Sequence, residues 1–387
     1  MTATAQGTRA DIVHVTDEEL AQRTIRRTAL VSCDQAFIDY RTPGSDRKQN
    51  YALIGPGVSQ STDQFVNLQI PHGYNVGGVA MPNGVTNSLH LHFTAEVFIV
   101  VAGVYEFRWG PDGSAGQFIA QAGDVISIPT WIFRGFTNVG PDENFMFTVL
   151  GQDDTGGIIW GPAVLREAER HGLYLSADNL LIDTASEDSL EGVELIKPMP
   201  DEQIARLRSY TAEQMRQRVT TDADREFFGD ALLCTVADGG AVELAPVIGF
   251  GMTEHRYQEP RVYNPHGFNL AWLRAPSGHG MLRHRHNASQ VLIVRNGEWD
   301  VTLNEDDPVS VRLGPSDALS VPHGAWRQFT NVSADDAEMI VINGGDGRVR
   351  LQWSPSVVAA ARKQDVGYDA NGYLAPRSFV SHAAADD

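Results

Sequence analysis

Apolar residues in this chain fall in short runs that stop at turn-forming residues. Glu96-Val-Phe-Ile-Val-Val and Val291-Leu-Ile-Val run toward Gly103 and Gly297, while Asp124-Val-Ile-Ser-Ile and Ala318-Leu-Ser-Val stop at Pro129 and Pro322. Short runs rich in β-branched residues and closed by glycine or proline predict strands. Side chains alternate across a strand, so residues two apart share a face. His90 then shares a face with His92, and Arg134 with Phe136 and Asn138. The sheet interior receives paired imidazoles from one strand and an arginine from another. The pattern changes in the middle of the chain. Ala163 to His171 and Pro200 to Val219 carry helix-type residues and charge, predicting two or three helices on the outside of the sheets. The small, polar ends, about residues 1–10 and 380–387, are expected to fray.

The strand pattern occurs twice. Gly84, His90, His92, Glu96 and Gly103 recur with the same spacing as Gly278, His284, His286, Gln290 and Gly297, each 194 positions later. A second block follows in both halves: Asp124, Pro129, Arg134 and Asn138, then Asp317, Pro322, Arg327 and Asn331, each 193 positions later. Repetition at this period predicts two similar domains, not a solenoid of short units. The two histidine blocks differ at Glu96 against Gln290.

Composition narrows the function classes. A net charge of −19 with no basic cluster excludes nucleic acid and anionic membrane surfaces as partners. No apolar stretch approaches the length of a membrane span, and the polar start has no signal-peptide core. Two cysteines, Cys33 and Cys234, lie far apart without metal-type spacing, which fits a reducing cytoplasm.

The repeated pattern resembles the two motifs of the cupin superfamily, G-x5-H-x-H-x3-E-x6-G and G-x5-P-x-G-x2-H-x3-N. The first half matches the first motif at every position, and the second half carries Gln290 at the glutamate. Arg134 and Arg327 stand where the family has its third metal-binding histidine; Trp131 and Ser316 each replace a glycine. The resemblance implies a mainly β bicupin: two double-stranded β-helix (jelly-roll) barrels with a helical connector. It divides the chain into an extension (1–50), a barrel (51–155), the connector (156–245), a second barrel (246–350) and a tail (351–387). Within the superfamily, the segment Arg283-His-Arg-His286 and Pro129-Thr-Trp131 are similar to those of gentisate and 1-hydroxy-2-naphthoate ring-cleaving dioxygenases. That likeness implies a metal-dependent dioxygenase, with Fe(II) the leading ion, acting with O2 on a small aromatic or hydroxylated anion. Those enzymes use three histidines, whereas this chain has the glutamate and lacks the third histidine.

Two imidazoles and a carboxylate form the facial set of non-haem Fe(II) oxygenases, so His90, His92 and Glu96 are the expected metal ligands. Mn(II), Ni(II) and Cu(II) suit the same donors. A divalent ion about 5 Å from the Arg134 guanidinium would be repelled by about 6–7 kcal/mol at an effective dielectric near 20. Two arrangements answer this. Arg134 reaches past the ion to grip a substrate carboxylate, or it pairs with Glu96 in a metal-free pocket. Trp131, Phe136 and Phe98 are expected to wall the pocket. His284, His286, Gln290 and Arg327 form a second, weaker site, with Gln290 bonded to Arg327. A non-oxidative isomerase, lyase or decarboxylase and a metal-free binding protein are the alternatives to the oxygenase. Exposed edge strands favour a homodimer.

Overall fold

The computed structural model describes residues 12–186 and 188–380; the predicted fraying of the chain ends falls almost wholly outside them. It resolves into two compact units, each built of two facing sheets. One unit comprises Thr28–Arg225 with Asn264–Gly267. The other comprises the segment ending at Arg27, Glu226–Tyr263 and the chain from Phe268 onward.

In the first unit, a seven-stranded sheet carries Glu96–Ala102 between Val125–Ile128 and Phe145–Gly151. Opposite it, a five-stranded sheet runs Ile158–Trp160, Thr86–His92, Arg134–Asn138, Val104–Trp109 and Gly116–Gln121. Alternation explains how the sheets close. Along Val104–Trp109 burial alternates, sending Tyr105, Phe107 and Trp109 inward, where they join Phe98 and Phe136 in the core. The second unit repeats the plan. A six-stranded sheet carries Gln290–Val294, and a five-stranded sheet carries Gly280–Arg285 beside Arg327–Asn331. Its core gathers Trp299, Val301, Leu303 and Phe329.

The stretch between the two barrel strand sets holds the helices Pro162–Arg170, Asp201–Ile204 and Ala212–Arg216, together with short strands. The repeat extends to arms that the strand pattern alone does not reveal. Helix Asp17–Arg23 begins with a capping box of Thr16 and Glu19, and Ala212–Arg216 begins with one of Thr211 and Gln214. A two-residue strand follows each. Thr24–Ile25 pairs with Ala318–Val321 in the second unit, and Val219–Thr220 pairs with the corresponding strand Val125–Ile128 in the first. No helix of the described residues is long and apolar enough to cross a membrane. Both cysteines are free thiols.

Candidate metal centre

The strand Thr86–His92 fixes the site. Its His90 lies opposite Arg134 on one side and opposite Trp160 on the other. His90 Nδ1 donates to the Ser88 carbonyl at 2.6 Å, and His92 Nδ1 donates to the Gly157 carbonyl at 3.3 Å. With both Nδ1 protons so engaged, Nε2 is the nitrogen each ring leaves for a metal. Burial, reinforced by the charge of Arg134, holds His90 well below the usual histidine range. It is therefore neutral at physiological pH.

Glu96 opens the facing strand, so its carboxylate meets the imidazoles across the gap between the sheets. Oε1 stands 3.6 Å from His92 Nε2, and Oε2 accepts from Arg134 Nη2. Burial pushes Glu96 up and Arg134 down, while their pairing favours the charged form of each. One candidate ligand atom each from His90, His92 and Glu96 lies within 4.8 Å of the others, and no other such trio occurs among the described residues. Bonds of about 2.0–2.2 Å hold ligand atoms about 3–4 Å apart, so this set is close to a coordinating arrangement. His92 Nε2 is also buried without a hydrogen-bond partner, an unmet demand that a cation would satisfy. The donor set fits a divalent ion.

Arg134 is only partly engaged. Nη1 donates to the His90 carbonyl at 3.0 Å and Nη2 to Glu96, while Nε is buried without a partner. His90, His92, Glu96, Phe98 and Phe136 line a cavity of about 50 Å³; Arg134 does not, and of its two expected arrangements the structure has the pairing with Glu96. Trp131 corrects the sequence expectation: it is 43% exposed, packs edge-on against Phe93, and is not among the cavity's lining residues. Its backbone turns through φ +57° while its N–H donates to the His92 carbonyl. Gly324 holds the same place in the other half, at φ +75° and bonded to the His286 carbonyl. The left-handed turn there aims any side chain outward.

The second site is more nearly satisfied, although His284 Nε2 is buried without a partner there as His92 Nε2 is in the first. Arg327 lies opposite His284, and its Nη1 is 3.1 Å from both His286 Nε2 and Gln290 Oε1. Nε and Nη2 donate to the carbonyls of Ala325 and Pro322. Gln290 spends its amide N–H on Asn343 at 2.8 Å. The guanidinium thus occupies the imidazole nitrogen a metal would need, with no carboxylate beside it to offset an added cation.

Residues 271–343 match the Cupin_2 family, the cupin domain. Oxalate decarboxylase from Bacillus subtilis superposes with a TM-score of 0.53 at 12% identity, covering 88% of this chain and 82% of that one. The formate complex of Lactobacillus farciminis oxalate decarboxylase gives 0.53 at 12%, covering 90% and 92%. Vicilin from Capsicum annuum gives 0.53 at 12%, covering 86% and 88%. The fold is a bicupin.

No curated protein matches the sequence of this bicupin. Its structural likenesses, all at low identity, concern architecture alone, and the barrels' chemistry has to be argued from the side chains. On the histidine strand, parity missed one cavity residue, Asn87. Between Arg134 and Phe136 their partners step from His90 to Asn87, so the histidine strand carries one extra residue there. Such a bulge reverses which side chains face inward.

Proposed function

We propose that this bicupin is a metal-dependent enzyme acting on a small carboxylate in its first barrel, with His90, His92 and Glu96 holding a divalent ion. The convergence of these three donors beside the unpartnered His92 Nε2 carries the reading. When bound, the ion would supply Lewis acidity and, if it is Fe(II) or Mn(II), access to redox chemistry.

The chain's own residues set the substrate class. Glu96 offsets one of the ion's two positive charges, and the Arg134 guanidinium adds another, so an anion is the natural occupant. Arg134 does not line the cavity, and its terminal nitrogens are engaged by the His90 carbonyl and Glu96, so it favours the anion through its charge. Size narrows the class further. A water needs about 10–15 Å³ of such space, so a cavity of about 50 Å³ holds only a few heavy atoms. That favours a short carboxylic acid over the naphthalene-sized ring of the resembled dioxygenases. The oxalate decarboxylases that share the fold act on a molecule of this size.

Decarboxylation is therefore the favoured reaction. Dioxygen-dependent cleavage is the second reading, supported by the two-histidine, one-carboxylate set common to Fe(II) oxygenases. Incubation with short mono- and dicarboxylates, under argon and under O2, separates the two. Carbon dioxide release in both atmospheres without stoichiometric O2 uptake is expected. Turnover confined to O2, one molecule consumed per substrate, would move the assignment to the dioxygenase. A bicupin replete with metal that turns over none of these acids would overturn the small-carboxylate reading.

A further inference from the structure

Beside the first site lies a buried polar trio that the ligand set does not use. Lys48 and Asp39, 3% and 0% exposed at the side chain, form an ion pair. Lys48 Nζ also donates to Asn87 Oδ1 at 3.1 Å, and the other Asp39 oxygen accepts from the Ser88 N–H at 3.3 Å. Asn87 lines the same cavity as His90, His92 and Glu96. With the ammonium holding its carbonyl oxygen, the orientation of the amide is fixed. No hydrogen bond engages Nδ2 among the described residues, so the donor end of the amide is uncommitted.

The duplication supplies an internal control. At the structurally equivalent positions, 195 residues on from Asp39 and 194 on from Lys48 and Asn87, stand Cys234, Val242 and Met281, all buried in the second barrel's apolar core. Asn87 lies opposite Phe136, and Met281 lies opposite Phe329, each next to the same bulge. Apolar side chains therefore fill this place well. A buried ion pair is often no more stabilising than its apolar replacement, so packing does not account for the charged trio. It occurs in the barrel whose His–His–Glu set is whole.

We propose that Asn87 contacts the substrate, its amide held by the Lys48–Asp39 pair so that Nδ2 donates to a carboxylate oxygen in the first cavity. The inference deepens the small-carboxylate reading and rests on it. Lys48 and Asp39 are positioning residues; Asn87 is the group that touches the ligand.

Calorimetric titration with formate and with oxalate tests this, using the full chain as purified and with its metal content measured. Asn87→Met, the second barrel's own residue, is expected to weaken both by tenfold or more with metal content unchanged. Lys48→Met alone would strand the Asp39 carboxylate, so the pair is removed together as Asp39→Leu with Lys48→Val. That variant is expected to weaken binding threefold or more by freeing the amide to turn. Adding Asn87→Met to it should leave affinity equal to that of Asn87→Met alone, the coupling expected if the pair acts on binding only through the amide. Binding by Asn87→Met within twofold of wild type would overturn the inference and leave the small-carboxylate reading standing. Loss of metal in Asn87→Met, or fully additive losses, would also overturn it. A metal-replete wild type that binds neither acid would overturn both.

Discussion

At the scale of single residues, the two sites differ most at Glu96 against Gln290. In the first barrel, Arg134 has a carboxylate partner and a nitrogen to spare. In the second, Arg327 is held by carbonyls, an amide and an imidazole. The second site has a signature in pH. Burial, and then the charge of Arg327, push His284 down to about 3. An unfolded histidine takes up a proton below about 6.5, which the folded one refuses. Stability is therefore intact above pH 6.5 and is lost as pH falls toward 3, by about 1.4 kcal/mol per pH unit from this group. His284→Met should flatten the pH dependence of urea unfolding between pH 6 and 4 by about that slope; an unchanged slope would contradict the buried neutral ring. Spacing alone made the histidines, Glu96 and both arginines legible in the sequence. Trp131 was not, because parity along a strand says nothing of the left-handed turn that follows it.

Among elements, the bulge in Thr86–His92 and the paired arms matter most. The bulge keeps His90 opposite Arg134 while turning Asn87 onto the cavity; it leaves no trace in a hydrophobic pattern. Strands ending at Pro129, Pro322 and Gly103 were readable because their stops are chemical. The arms escaped notice because two-residue strands such as Thr24–Ile25 and Val219–Thr220 are too short to show a period. Their anchoring rests on helix caps. Loss of an N-cap hydroxyl costs about 1 kcal/mol, so Thr16→Ala should lower the urea midpoint of the second unit by that equivalent. Thr211→Ala should act likewise on the first unit. A cap variant with no effect would show that the arm is held by its strand pairing alone.

For the whole molecule, the duplication leaves two barrels with unequal donor sets: two histidines with Glu96 in one and two histidines with Gln290 in the other, an arginine standing at the third-histidine position of both. The fold was legible because two motif pairs stand in register. The chemistry was only partly so, because the arginine at the third-histidine position is compatible with a metal, a substrate or an ion pair, and only distances discriminate. Binding to the folded state stabilises it by about 2.7 kcal/mol at a hundredfold excess over the dissociation constant. Mn(II) or Fe(II) should therefore raise the melting transition of the first unit and not that of the second, and Glu96→Gln should abolish the shift. An equal shift of both transitions would contradict the asymmetry. The most direct test is the metal content per chain of bicupin purified anaerobically without added metal or chelator. The account predicts one equivalent of a divalent transition metal, lost in His90→Ala and kept in His284→Ala. No bound metal and no uptake on reconstitution would contradict it, leaving Glu96 and Arg134 as the ion pair of a metal-free binding pocket.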